Sequence, residues 1–172
     1  SRAARGLATE PSLMQHAQVL AVGLLDRVLA GRNLDAELAA QWRSLPDGNT
    51  GNTQQRALVQ DLCYGVLRHL GPLDAALAPL LARPLRDERL HHLLRIALYQ
   101  LQHTRAAPHA VVDQAVRACI ALHAAPAKGL VNAVLRGFLR RKAELQAAMP
   151  RWQAAMALAR PPALSHSTGS RQ

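Results

Sequence analysis

Four basic side chains lie close together late in the chain, at Arg136, Arg140, Arg141 and Lys142, and Lys128 precedes them. Arg136 and Arg140 are four residues apart, about one helical turn, so on a helix both project from one face. Such a face can meet phosphates spaced along a nucleic-acid backbone. A second interpretation stays open from the residues alone, because cations near the C-terminus of a helix also stabilise its dipole and keep a surface soluble.

Residue patterns typical of catalysis are missing from the sequence. It contains no glycine-rich nucleotide loop, GxSxG elbow, HExxH pair or metal-type Cys/His spacing. Cys63 and Cys119 are isolated within apolar helical patterns, as expected of reduced, buried thiols. His91 and His92 are adjacent, so their side chains diverge on a helix and do not suit a shared metal ion. We therefore predict no catalytic residue, no metal site and no cofactor in this chain.

The net charge of +10, from 21 basic and 11 acidic residues, favours a polyanionic partner. The excess is local, because residues 95–142 carry eight basic side chains against Asp113 alone. Aromatic residues make up only 3% of the chain, which favours recognition of phosphate backbone and shape over stacking on bases. No membrane span or signal peptide is visible, so we predict a cytoplasmic protein without a membrane partner.

The composition predicts an all-α fold. Alanine (33) and leucine (30) dominate, whereas valine and isoleucine total 12. Apolar residues recur at three- and four-residue steps in seven segments joined by short turns, as in a helical bundle. The predicted helices cover residues 12–31, 33–42, 53–70, 73–82, 87–104, 108–123 and a seventh helix from Lys128 through Lys142.

Several local features refine this prediction. Pro79 should bend or shorten the fourth helix, and Gly65 within the third suits a close crossing with another helix. The predicted buried face of the sixth helix consists of Val112, Ala115, Val116, Cys119 and Ile120. That of the seventh helix consists of Leu130, Val134, Leu135 and Phe138. Turn formers at residues 45–53 predict an exposed loop.

The domain organisation follows from the same patterns. We predict a flexible N-terminus at residues 1–11 and one helical domain at residues 12–148. Residues 149–172 are predicted to be a linker or tail, at least partly disordered.

Several stretches together resemble a known family. They are ALVQDLCYGVLR at residues 57–68, ALYQL at 97–101, PHA at 108–110 and KGLVNAVLR at 128–136. In this order they are similar to the NusB-like domain, most closely the one that begins small-subunit ribosomal RNA cytosine-5 methyltransferases of the RsmB (Sun/Fmu) type. The resemblance is clear over residues 53–145 and weaker through the first helix.

The resemblance implies an all-helical fold of two packed subdomains that binds RNA or a ribonucleoprotein. It places Lys128, Asn132 and Arg136 in the family's Lys-Gly-(Leu/Phe)-(Val/Ile)-Asn-(Gly/Ala)-Val-Leu-Arg motif, and Arg105 in its Thr-Arg-x-x-Pro turn. Asn132 is expected to hydrogen-bond to a neighbouring loop, with RNA contact as the alternative that stays open. The candidate RNA-binding residues are thus Arg105, Lys128, Arg136, Arg140, Arg141 and Lys142.

The resemblance also implies a catalytic domain elsewhere, which binds S-adenosylmethionine and uses a cysteine nucleophile. Neither Cys63 nor Cys119 has the Pro-Cys or Thr-Cys surroundings of that nucleophile. The first helix departs from relatives that begin it with RNA-contacting arginines, because Leu13–Ala17 is neutral.

Three functions remain open at this point. The preferred one is an RNA-binding domain of a 16S rRNA cytosine-5 methyltransferase, not itself an enzyme, whose partners are ribosomal RNA, its own C-terminal methyltransferase domain and a ribosomal protein. The second is a stand-alone NusB-like antitermination factor, and the third is a protein-binding helical adaptor.

Overall fold

A computed structural model describes residues 12–44 and 50–159 of the chain. These residues form seven α-helices and no β-strand, which confirms the predicted all-α fold. The helices are α1 (Leu13–Leu29), α2 (Leu34–Arg43), α3 (Thr50–Arg68), α4 (Leu70–Leu77), α5 (Glu88–His103), α6 (Pro108–Ala121) and α7 (Lys128–Ala159). The chain divides into two compact units, Ser1–Phe138 and Leu139–Gln172. No helix in the described ranges is long and apolar enough to cross a bilayer.

Side-chain caps begin three of the helices at the predicted residues. Ser12, Asn33 and Asp87 each accept a hydrogen bond, at 3.0–3.1 Å, from a backbone N–H two or three residues further on. Each cap satisfies one of the donors that a helix N-terminus leaves without an intrahelical partner. Local sequence therefore determines where α1, α2 and α5 begin.

Gly31 and Pro79 end two helices. Gly31 has a φ of 113°, a left-handed conformation that a side chain disfavours. Its N–H bonds to the Val28 carbonyl at 3.0 Å and the next N–H bonds to the Arg27 carbonyl at 3.1 Å, which is a Schellman motif. Pro79 lies in a short 3-10 turn, Ala78–Leu80, so α4 stops at Leu77 and not at the predicted residue 82; the predicted shortening at Pro79 is confirmed.

Helix α5 is the centre of the first unit. It contacts α1, α3, α4 and α6, and every residue from Leu90 to Leu101 except His91 is buried. The crossing with α3 occurs at Gly65, where the Tyr99 ring occupies the space that a Cβ atom would need. The missing side chain of Gly65 thus allows close packing against α5, through the Tyr99 ring.

A charged network joins α5 to its neighbours. Arg95 donates two hydrogen bonds to the Asp74 carboxylate, from Nε at 2.7 Å and from Nη2 at 2.8 Å. These bonds hold the pKa of Asp74 below its usual value. His91 also contacts Asp74, at 3.0 Å, whereas His92 faces Asp26 of α1 at 3.4 Å. The two adjacent histidines therefore diverge, as their spacing predicts.

The buried faces of α6 and α7 are rotated from the predicted ones. On α6, Val111 and Ala118 are buried, whereas Ile120 is 48% exposed and Val116 is half-buried. On α7, Val131 is fully buried and Leu130 is 40% exposed. Both alternatives fit three- and four-residue spacing, and the geometry of the surrounding helices selects between them.

Several helix boundaries also differ from the prediction. Helix α4 begins at Leu70, three residues before the predicted residue 73. Helix α3 begins at Thr50, three residues before the predicted Thr53. Helix α7 continues to Ala159, although Pro150 within it cannot donate a backbone hydrogen bond. Most of the predicted loop at 45–53, the predicted flexible residues 1–11 and the tail beyond residue 159 lie outside the described residues.

Candidate RNA-binding surface

The eight basic residues between positions 95 and 142 fall into two groups. Arg95 is buried and bound to Asp74, as described above. Arg117 is exposed and lies 3.4 Å from the carboxylate of Asp113, one turn earlier on α6. These two cations already have acidic partners, so the charge available to a polyanion must come from among the other six.

Those six are the cations that the sequence singles out. Five of them are exposed and, within the described ranges, none of the five forms an ion pair with a carboxylate; they are Arg105, Lys128, Arg136, Arg140 and Arg141. Lys142 is half-buried and has an interaction within the chain. The surface charge of this segment is therefore available to solvent rather than neutralised by acids.

Arg136 is oriented by a neighbour on its own helix. Its Nε donates a hydrogen bond to Oδ1 of Asn132, one turn earlier, at 2.9 Å. The prediction that Asn132 bonds to a neighbouring loop is wrong, because its recorded partner is this guanidinium. An amide is neutral, so the bond fixes the direction of the Arg136 side chain without cancelling its charge.

The length of α7 excludes one interpretation of the late cluster. Arg136, Arg140, Arg141 and Lys142 lie in the interior of a 32-residue helix whose last turn holds no basic residue. The field of a helix dipole acts mainly on its first and last turns. Dipole stabilisation therefore does not explain these four cations, and surface solubility remains as the alternative to RNA binding.

The candidate cations do not form one contiguous set within a single unit. Arg136 belongs to the first compact unit, whereas Arg140, Arg141 and Lys142 belong to the second. Within the first unit, Arg105 lies before the N-terminus of α6. Lys128 lies after the C-terminus of α6, directly after the 3-10 turn Ala125–Ala127. Since α6 has 14 residues, the two ends of this helix are about 20 Å apart.

Both thiols have the environment of structural cysteines. Cys63 is buried on α3, and burial raises its pKa to about 12. Cys119 is also buried, its pKa is raised by burial, and its Sγ donates to the Ala124 carbonyl at 3.0 Å. A nucleophilic cysteine needs a stabilised thiolate, and neither environment provides one.

A cluster of three rings that the sequence did not predict lies where α3 and α5 end. The His69 and His103 rings stack with centroids 4.1 Å apart, and Tyr99 lies 6.1 Å from the first and 5.6 Å from the second. The available signal was a shared spacing, since His69 follows Gly65 by four residues and His103 follows Tyr99 by four. Recognising it required knowing that Gly65 contacts Tyr99.

Known proteins with similar sequences carry the name ribosomal RNA small subunit methyltransferase B. The protein of Pectobacterium atrosepticum is 40% identical over 117 residues, which cover 67% of this chain and 26% of that protein. The proteins of Shigella flexneri and Escherichia coli are 45% and 44% identical over 96 residues, which cover 55% of this chain and 22% of each relative. The chain thus spans about a quarter of the length of the curated relatives that it matches.

A family model described as the NusB family matches residues 15–140. This range runs from the first turn of α1 to the middle of α7 and includes Arg105, Lys128, Arg136 and Arg140. The match covers well over half of the 172 residues, and the chain belongs to the NusB family.

Proposed function

We propose that this chain is the RNA-binding domain of an S-adenosylmethionine-dependent methyltransferase that modifies a cytosine of small-subunit ribosomal RNA. The relatives are named for methylation of that RNA. The single observation that carries the proposal is the set of exposed cations between Arg105 and Arg141 that lack carboxylate partners in the described ranges. Arg95 and Arg117, from the same stretch, differ from these cations because each forms an ion pair with an aspartate.

The role of the domain is to position RNA. Phosphate groups that bind Lys and Arg side chains release condensed counterions, which favours binding of any nucleic-acid backbone. Attachment to a catalytic domain then raises the effective concentration of RNA at that domain without new chemistry. S-adenosylmethionine and the nucleophile belong to the catalytic domain, and no residue of this chain is assigned to either.

The test is RNA affinity as a function of salt. Binding of a labelled small-subunit rRNA fragment is measured by fluorescence anisotropy between about 50 and 300 mM KCl, for the wild type and for Arg136→Ala, Arg140→Ala and Arg141→Ala. Each lost phosphate contact should reduce the slope of log K against log salt by about 0.7 to 0.9. Arg117→Ala is the matched control, because it removes the same charge from an exposed side chain that already has an acidic partner.

The outcomes separate clearly. Weaker binding and a shallower salt slope for the three variants, with Arg117→Ala unchanged, support the proposal. Affinities and slopes equal to the wild type in all three variants refute the assignment of these cations. A wild-type chain that binds no rRNA fragment at 50 mM KCl but retains a protein partner is instead a protein-binding adaptor.

A further inference from the structure

We infer that Asn132 is a positioning residue for RNA binding, because it holds the Arg136 guanidinium in an orientation in which its two outer nitrogens bind one backbone phosphate together. The inference rests on the proposed function, since it needs an RNA ligand at Arg136. It goes further by giving a role to a neutral side chain and by specifying how the ligand is held. Neither follows from the surface charge alone.

The bond between the two side chains leaves the outer end of the arginine available. Arg136 Nε donates to Asn132 Oδ1 at 2.9 Å. The other two guanidinium nitrogens, Nη1 and Nη2, have no partner within residues 12–44 and 50–159. They lie side by side in one plane, in the fork geometry that binds two oxygens of one phosphate. The arginine is thus oriented through Nε and can bind an anion through Nη1 and Nη2.

An arginine on α6 shows what difference the amide makes. Arg117 also has its partner one turn earlier, at 3.4 Å, but that partner is the carboxylate of Asp113. Both arginines are exposed, and both pairs have the same four-residue spacing. The carboxylate offsets the charge of Arg117, whereas an amide leaves the full charge on Arg136. Asn132 therefore supplies the orienting bond of an ion pair without cancelling the charge.

Small residues leave room for a phosphate beside the guanidinium. Ala133 precedes Arg136 by three residues, so it lies next to it on the helix surface, and it is exposed. Gly129, one turn earlier, is also exposed and has open space where a Cβ atom would be placed. Lys128 adds an exposed cation at the start of the same helix. A phosphate backbone can therefore approach this part of α7 closely.

Helix stability does not explain an asparagine at position 132. Asparagine is less favourable than alanine or leucine in a helix interior, because its side chain competes for backbone hydrogen bonds. Here the side-chain oxygen accepts the bond from Arg136 instead. An arginine loses rotamer freedom when it binds a phosphate, and a bond that fixes it beforehand reduces this loss. The benefit of Asn132 is therefore expected in binding and not in folding.

The experiment combines two variants of Asn132 with Arg136→Ala. Asn132→Ala removes the orienting bond, whereas Asn132→Asp keeps the acceptor and its shape but adds a negative charge. Affinity and its salt dependence are measured by fluorescence anisotropy for an rRNA fragment and for an oligouridylate of about 12 nucleotides, which offers phosphates but no guanine for a bidentate base contact. Urea unfolding measures stability in parallel. Gln60→Glu is the matched control, because it adds the same charge to an exposed side chain on α3.

Positioning predicts effects on binding that stability does not share. Asn132→Ala should weaken binding of both RNA ligands about two- to fivefold, and should have no further effect when Arg136→Ala is already present. Asn132→Asp should weaken binding at least as much as Arg136→Ala and reduce the salt slope by about 0.7 to 0.9. Its stability should equal or exceed that of the wild type, since an Asp–Arg pair one turn apart stabilises a helix. Gln60→Glu should stay within about twofold of the wild-type affinity.

Three results contradict the inference. In the first, Asn132→Asp binds both ligands as tightly as the wild type. In the second, Asn132→Ala weakens binding equally with and without Arg136, so the amide acts independently of the arginine. In the third, the losses are confined to the rRNA fragment, so a base contact takes the place of the phosphate contact.

Failure of this inference is distinct from failure of the proposed function. If Arg136→Ala weakens rRNA binding and the Asn132 variants do not, the RNA-binding function stands and the positioning role is refuted. If Arg136→Ala itself binds like the wild type, Arg136 holds no phosphate and the positioning role is refuted whatever the other cations do. If the wild type binds neither oligouridylate nor the rRNA fragment at about 50 mM KCl, both are refuted.

Discussion

Replacing Gly65 by alanine tests the geometry that supports the ring cluster. A Cβ atom at this position would overlap three atoms of the Tyr99 ring, far inside van der Waals contact. The ring cannot move away freely, because its hydroxyl is bonded to Asp61 and it lies beside the stacked His69 and His103 rings. The substitution therefore forces α3 and α5 apart or displaces the ring.

Two opposing effects determine the magnitude. Forcing a methyl group into a packed core costs about 1–3 kcal/mol, whereas replacing glycine by alanine inside a helix gains up to about 1 kcal/mol. Because the overlap involves several ring atoms, we expect a net loss of about 1–2 kcal/mol in the free energy of unfolding. Gly23 is the matched control, since it lies inside α1 and an added Cβ atom there meets only Arg27 Nη1, at 3.5 Å. Gly23→Ala should stabilise the protein by about 0.5–1 kcal/mol.

The assay is urea unfolding followed by circular dichroism at 222 nm. The same pair of glycine variants is also measured in a Tyr99→Ala background, which removes the obstructing ring. There, Gly65→Ala should become neutral or stabilising, because the overlap that it creates is gone. The reasoning is refuted if Gly65→Ala is as stable as Gly23→Ala in the presence of Tyr99.

Three further predictions concern titratable groups. Because the hydrogen bonds from Arg95 lower the pKa of Asp74, the stabilisation that this pair provides is present above the usual carboxyl pKa of 3.8 and is lost in acid. The Asp74 side chain is 38% exposed, so solvent screens the pair; in urea titrations Asp74→Asn should cost about 1–2 kcal/mol at pH 7, and the difference from the wild type should narrow towards pH 3. Burial lowers the pKa of His92, so as the pH falls below 6.5 this side chain is protonated more readily in the unfolded protein than in the native protein. The free energy of unfolding should therefore decline between pH 7 and pH 5, and should decline less steeply in His92→Gln. Equal declines in the wild type and in His92→Gln would contradict this. Burial raises the pKa of Cys63 to about 12 and also raises that of Cys119, so both thiols stay protonated at pH 8. Native protein should then react only slowly with Ellman's reagent, whereas unfolded protein should react at both cysteines. Rapid reaction of the native protein would contradict their burial.

Helix ends were predictable because their causes are local. Ser12, Asn33 and Asp87 cap the helices that follow them, and each forms its bond within three residues. Gly31 and Pro79 act through their own backbone constraints. Such signals do not depend on what the helix packs against, so short stretches of sequence suffice to identify them.

Helix faces and long-range pairs were not predictable in the same way. Ile120 and Leu130 fit an apolar stripe as well as Val131 does, and only the neighbouring helices decide which is covered. Asp74 and Arg95 are 21 residues apart, and their pairing depends on how α4 packs on α5.

For the candidate RNA-binding residues, too, local features were predictable from the sequence and long-range features were not. The exposure of Arg136 follows from helical spacing, but its bond to Asn132 and the long extension of α7 do not. The extension matters for function, because it removes the helix dipole as an explanation for the late cations. His69 and His103 are 34 residues apart in sequence, and only the crossing at Gly65 brings their rings together.

Ultraviolet crosslinking of the chain to small-subunit ribosomal RNA, with the crosslinked peptides and nucleotides identified by mass spectrometry and sequencing, tests the central claim most directly. RNA binding through the candidate cations between Arg105 and Lys142 predicts crosslinks within this part of the chain, at defined nucleotides. These crosslinks should diminish as the salt concentration is raised. Crosslinks confined to α1 and α2, or none above the level of an unrelated basic protein, would contradict it.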